Sequence, residues 1–220
     1  MHRQRPHGRR PGDRDRGRDR DRQDDLTEDP ERLSRFLALV LRHRAYQFDL
    51  DMDDEGYVDL ERLLAIMKDQ RGLAWVERKH VDTLLEGQER MRFELRDGSI
   101  RATYGHSFRK PIHYVPIEPP EHLFIGVPRG KMSDVRTGGL QPTGRQYVHL
   151  SADKDEAMTV GKQHDPSPVV ITVNALEAHR AGIQFHKPID GIYLAARIPA
   201  DHVQLEIQYG RKIKKGSRRP

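Results

Sequence analysis

"MRFELRDGSIRATYG", residues 91–105, is the stretch whose reading decides the fold. Two short runs rich in Phe, Leu, Ile, Thr and Tyr flank Arg96-Asp97-Gly98. The favoured two-residue hairpin turn needs positive φ at both central positions, which Gly adopts freely and Asp tolerates. "MRFEL" and "SIRATYG" are therefore expected to pair as a β-hairpin.

Three helical patterns lead up to it. Asp29 suits an N-cap and Pro30 the first helical position. Leu33, Phe36, Leu37, Val40 and Leu41 then follow the spacing of a buried helical stripe. That helix ends in Arg42-His43-Arg44. At roughly 100° per residue, Arg42 points away from the stripe and His43 sits at its edge. Asp59 caps a second helix, with Leu60, Leu63, Leu64 and Met67 as its face. A third pattern, Val76, Val81, Leu84 and Leu85, stops at Gly87, a usual helix-ending residue. Three helices followed by a hairpin is the order of a winged-helix unit, here spanning 29–109. That scaffold often binds nucleic acid and also serves without it.

"DLDMDDEG", 49–56, resembles a calcium loop, but counted from Asp49 the sixth position is Asp54 in place of Gly and the twelfth is Leu60 in place of Glu, so it reads as a turn. "KPIHYVPIEPPE", 110–121, carries four prolines. It reads as a linker over 110–120. Beyond it, "HLFIGV", "YVHLS", "PVVITV", "GIYLAARIP" and "HVQLEIQ" are short β-like runs, with short helices expected near 131–137, 153–161 and 174–180. This lobe, 121–208, lacks regular βαβ spacing, so a mostly antiparallel α+β arrangement is expected.

The ends differ from the body. Residues 1–30 hold nine Arg and eight Asp or Glu, and residues 211–220 hold six Lys or Arg and no acid. Removing these from the chain's 39 basic and 34 acidic residues leaves 24 and 26 over 31–210, a net charge of −2. The high pI is thus a property of two tails. The Arg/Asp-rich tail, 1–28, has too little apolar surface to offset its ordering entropy and is expected to be disordered. The basic tail, 209–220, attracts polyanions without shape recognition. No cysteine is present, which excludes disulfides, thiolate nucleophiles and Cys-ligated zinc. No apolar run approaches a membrane span and no secretory leader is evident. A cytoplasmic monomer is the expectation.

Four spots concentrate polar groups beside apolar element ends: Arg42-His43; Arg101 with Gly105-His106-Ser107; Arg145; and His149 with Ser151. Each has an ordinary reading. Cations in a last helical turn favour the dipole's negative end. Arg101 and His149 fit the wet side of a sheet. Together they fit one chemistry, because several Arg forks hold a phosphate dianion by charge-assisted hydrogen bonds. One His among them can serve as acid, base or oxyanion donor. No acidic cluster stands where a metal bridging phosphates would need it.

"LSRFLALVLRH", "DEGYVDLERLL", "FEL…IRATYGHS", "GGLQPTGRQYVHLS" and "GIYL" fall in the order found in the RNA 2′-phosphotransferase family, and the resemblance covers about residues 32–205. It implies a winged-helix-like N-terminal lobe and a C-terminal lobe of the ADP-ribosyltransferase fold. It implies removal of an internal 2′-phosphate from RNA, typically at a tRNA splice junction, with NAD⁺ as co-substrate. The phosphate would attack the nicotinamide ribose and expel nicotinamide. A ribose hydroxyl would then free the RNA and give ADP-ribose 1″,2″-cyclic phosphate.

The resemblance places the catalytic set at Arg42, His43, Arg101 and Arg145. Substrate phosphate contacts would come from Arg42, Arg101, Gly105, His106 and Ser107, and cofactor contacts from Gly126, His149 and Ser151. The pattern is broken at the strand that opens the second lobe. The family normally has His-Gly-Thr there, whereas this chain has Ile125, Gly126 and Val127. Tyr147 also stands where many members have His. Two other readings stay open: an ADP-ribosyltransferase acting on nucleic-acid terminal phosphates, and a non-catalytic RNA-phosphate binding relative that has lost NAD⁺ use.

Overall fold

The computed structural model describes residues 28–205, and apart from Glu28 both tails discussed above lie outside them. The chain divides into two units between His113 and Tyr114.

In the first unit, α1 spans Pro30–Leu39, and the Asp29 carboxylate accepts from the Arg32 amide at 2.9 Å, satisfying an otherwise orphaned N–H. Leu33 and Leu37 bury its inner face. The helix does not stop at Leu39. It widens into a π-helical turn, Val40–Arg44, and tightens into a 3₁₀ turn, Ala45–Phe48. Single π-turns interrupt the α phase and recur at functional sites. β1 (Val58–Asp59) leads into α2 (Leu60–Lys68), capped by Asp59 on the Arg62 amide at 2.7 Å. The third helix, α3 (Arg78–Glu86), begins two residues after Val76, which packs in the core from the preceding turn.

β2 (Phe93–Arg96) and β3 (Ser99–Ala102) form the expected hairpin, with φ of 50° at Asp97 and 80° at Gly98. β1 adds to its other side, giving an antiparallel sheet in the order β1-β3-β2. Phe93, Ile100 and Ala102 bury the inner face of this sheet.

The division between the units falls within the stretch expected as a linker, 110–120, and that stretch is also packed at its ends. Ile112 is buried in the first unit, and Lys110 pairs with Asp54 at 2.8 Å. β4 (Pro116–Ile117) is an edge strand of the second unit's sheet, where proline's missing N–H costs no ladder bond.

That sheet is seven-stranded, and every pairing in it is antiparallel. Its strands are β5 (His122–Val127), β6 (Val148–Ser151), β7 (Val169–Asn174), β8 (Phe185–Ile189), β9 (Ile192–Ala195) and β10 (Val203–Gln204), with β4, in the order β10-β7-β5-β6-β9-β8-β4. Three helices attend it: α4 (Met132–Gly138), α5 (Lys154–Gly161) and α6 (Ala175–Arg180). Leu123, Val127, Leu150 and Val173 bury one face of the sheet, together with Val135 of α4 and Ala178 of α6. The protein is thus α+β, with two antiparallel sheets.

α5 presses on the opposite face. A Cβ on Gly126 would lie 2.4 Å from the Ala157 carbonyl oxygen and 2.7 Å from the Gly161 Cα. Only a side-chain-free residue admits that helix so close to β5.

Candidate functional site

In the first unit the polar residues gather around the π-turn. The Ser107 amide donates to the Arg42 carbonyl at 2.9 Å, and Ser107 Oγ lies 2.7 Å from His43 Nδ1. These two bonds clip segment 105–107 onto the helix end. Gly105 makes the clip possible through its φ of 93°. The Arg42 guanidinium sits 5.0 Å over the Tyr104 ring, which fixes its direction by cation–π attraction. The edge position expected for His43 becomes, through the π-turn, an exposed ring anchored by Ser107. His106 is only 2% exposed and packs against the Phe108 ring, so it holds the segment from inside.

β3 packs on the π-turn and carries Arg101. Its guanidinium is gripped on three sides. Glu94 accepts from Nε at 2.8 Å and from Nη2 at 2.6 Å, and the Glu55 carbonyl accepts from Nη1 at 3.1 Å. The Tyr57 ring lies beneath, 4.6 Å from the Arg101 guanidinium and 4.2 Å from that of Arg96. Burial of the Tyr57 phenol pushes its pKa up, against the lowering influence of Arg101. Sequence reasoning passed over Glu94 and Tyr57. The hairpin register held the signal for Glu94, because the turn at Asp97-Gly98 makes Glu94 and Arg101 direct cross-strand partners.

In the second unit, Arg145 is exposed in the loop before β6. Val148 and Leu150 of β6 point into the core, so His149 and Ser151 occupy the other face. His149 Nδ1 lies 3.0 Å from the Tyr147 carbonyl. A carbonyl only accepts, so Nδ1 carries the proton and the Nε2 of a neutral ring is an acceptor. Across the sheet, His149, Leu194 and His186 form one row, with the buried His186 ring 5.9 Å from Tyr114 and 5.7 Å from Tyr147. Burial raises the pKa of Tyr147. This ring cluster was not singled out from the sequence, because its members lie far apart along the chain.

Ile125 packs against the core of the second unit. The absence of a side chain at Gly126 is accounted for by α5. His149 and Ser151, expected to contact NAD⁺, lie on the face of the sheet opposite the core, with Ser151 buried. Among the described residues no group of three or more His, Asp or Glu could hold a metal ion, and no helix is long and apolar enough to cross a membrane.

Residues 28–197 match the RNA 2′-phosphotransferase, Tpt1 / KptA family. The chain belongs to this family. Among its relatives is a protein named probable RNA 2′-phosphotransferase from Acetivibrio thermocellus, 39% identical over 81% of this chain and 98% of its own length. Proteins of the same name from Pseudomonas paraeruginosa and Bacillus thuringiensis are 37% and 34% identical. They match 78% and 79% of this chain, and each is covered over 94% of its own length. Family membership makes the chain a transferase of the RNA 2′-phosphotransferase kind.

Proposed function

We propose that this protein removes an internal 2′-phosphate from RNA, of the tRNA splice-junction type, by transferring it to NAD⁺, with release of nicotinamide and ADP-ribose 1″,2″-cyclic phosphate. The reading includes a winged-helix-like first unit, an ADP-ribosyltransferase-like second unit, and a cytoplasmic monomer as the working form. The observation that carries it is the clip in which Ser107 ties the Arg42 backbone and the His43 ring to one point. It preorganises a guanidinium-bearing and an imidazole-bearing residue at an exposed helix end.

In this reading Arg42 and Arg101 neutralise the RNA phosphate, with Ser107 orienting His43 beside it. His43 donates or accepts the proton as charge shifts between the phosphate and the departing ribose oxygen. Phosphoryl chemistry asks little covalent work of a protein, so these preorganised donors supply most of the acceleration. NAD⁺ supplies the electrophilic ribose carbon. In the second unit, His149 and Ser151 would hold its sugar hydroxyls and Arg145 would supply a cation.

Incubating a 2′-phosphorylated oligoribonucleotide with the protein, with and without NAD⁺, tests the reading. The expected result is NAD⁺-dependent appearance of 2′-hydroxyl RNA together with the cyclic nucleotide. RNA left intact in both reactions overturns it.

The core position of Ile125 and the closure of Gly126 by α5 favour a second reading, a relative with altered donor use or none. Such a protein would transfer ADP-ribose to a terminal phosphate without completing the second step, or would bind RNA phosphate alone. A ligand at 100 times its Kd stabilises a fold by about 2.7 kcal/mol. A melting temperature unmoved by millimolar NAD⁺ supports the binding-only form.

A further inference from the structure

Five large hydrophobic residues stand exposed among those described, and only one, Tyr46 at 49%, is aromatic. It lies three residues after His43 on the same helical run. Both side chains rest on the same segment: His43 on Ser107 and Tyr46 on Phe108, whose ring is 5.6 Å away at 87°. Phe108 in turn packs on the buried His106 ring at 5.4 Å. A chain of three rings thus runs from the interior to an exposed aromatic beside the His43–Ser107 clip. Two exposed cations lie close by in the chain, Arg44 two residues before Tyr46 and Arg109 next to Phe108. Lys110 is not counted with them, because it is bound to the Asp54 carboxylate and to the Met52 carbonyl.

An exposed Tyr on a rigid base, with cations close by in the chain and a phosphate-type site next to it, has the chemistry of single-stranded RNA recognition. There, unstacked bases lie on aromatic rings while cations follow the backbone. We propose that Tyr46 is a stacking platform for the nucleobase adjoining the 2′-phosphate, with Arg44 and Arg109 holding the neighbouring backbone phosphates. The occupant is a base of single-stranded RNA. Every base has a π-face, so the platform accepts all four. The inference rests on the reading that the Arg42–His43 site takes an RNA phosphate.

Fluorescence anisotropy of the full-length protein, without NAD⁺, tests it. The probe is a short 2′-phosphorylated oligoribonucleotide, made either with normal bases or with abasic nucleotides beside the modified sugar. Tyr46→Ala is expected to weaken binding of the base-bearing probe on the order of ten-fold, and Tyr46→Phe to bind as the parent does. The abasic probe should bind the parent weakly and lose nothing further in Tyr46→Ala. An unchanged Kd in Tyr46→Ala, or an equal loss on both probes, overturns the platform. Turnover with NAD⁺ is assayed separately on the same probe. Tyr46-dependent binding without turnover upholds the platform and removes the catalytic reading. Turnover with Tyr46-independent binding does the reverse.

Discussion

Glu94 and Arg101 face each other across the β2–β3 hairpin, and the carboxylate takes the guanidinium side-on through Nε and Nη2. With Nη1 also donating to the Glu55 carbonyl, the guanidinium is held in one orientation. Glu94→Ala should therefore lower 2′-phosphate removal on the order of ten- to a hundred-fold by freeing Arg101 to rotate, while Glu94→Gln keeps part of the activity. Steady-state kinetics on both variants check this. Glu94→Ala activity equal to the parent's would show that Arg101 needs no support.

Arg42→Ala and His43→Ala should each reduce turnover at least on the order of 10²–10³-fold. His43 is exposed, so its removal should change stability by no more than about 0.5 kcal/mol. Urea unfolding alongside the activity assay separates the two effects. A collapse in stability would make these residues fold elements rather than site residues.

Gly126→Ala drives a methyl group into the Ala157 carbonyl, which is backbone and cannot step aside. The expected cost is about 1–3 kcal/mol or more, from overpacking. Denaturant midpoints measure it, and an unchanged midpoint would mean α5 does not press on β5 as described.

Burial raises the pKa of Tyr147 above the ordinary tyrosine value. A group raised in the folded state contributes stability that is complete below its unfolded pKa, about 10, and fades as pH rises through the folded value. The protein should therefore lose stability above about pH 10, and Tyr147→Phe should soften that loss. Thermal unfolding between pH 9 and 11, with tyrosinate absorbance, follows both.

Deleting residues 211–220 removes six cations. RNA binding should weaken at low salt, and the slope of log K against log salt should become shallower. An unaltered slope in anisotropy titrations would free the tail of that role.

The hairpin, the capped starts of α1 and α2, and the α+β class were legible because each depends on neighbours within a few residues. Asp29, Asp59 and Asp97-Gly98 act on backbone groups two or three positions away. Gly105 and His106 were read as phosphate contacts. The structure gives them another task as well, one turning the chain and the other anchoring it from beneath. Pro-rich 110–120 read as a linker because proline composition reports flexibility of the isolated segment. The buried Ile112 and the pairing of β4 with β8 come from partners that composition does not name.

The sequence by itself determined the family, the local elements, and the residue types able to grip a phosphate, since these follow from order, spacing and side-chain chemistry. Tertiary structure alone decided the π-turn that exposes His43, the carboxylate that holds Arg101, and the helix that closes over Gly126. Each of these depends on an atom contributed by a distant segment: the Ser107 amide, the Glu94 carboxylate and the Ala157 carbonyl. A period along the chain reports only which face a side chain leaves from, not which group arrives to meet it.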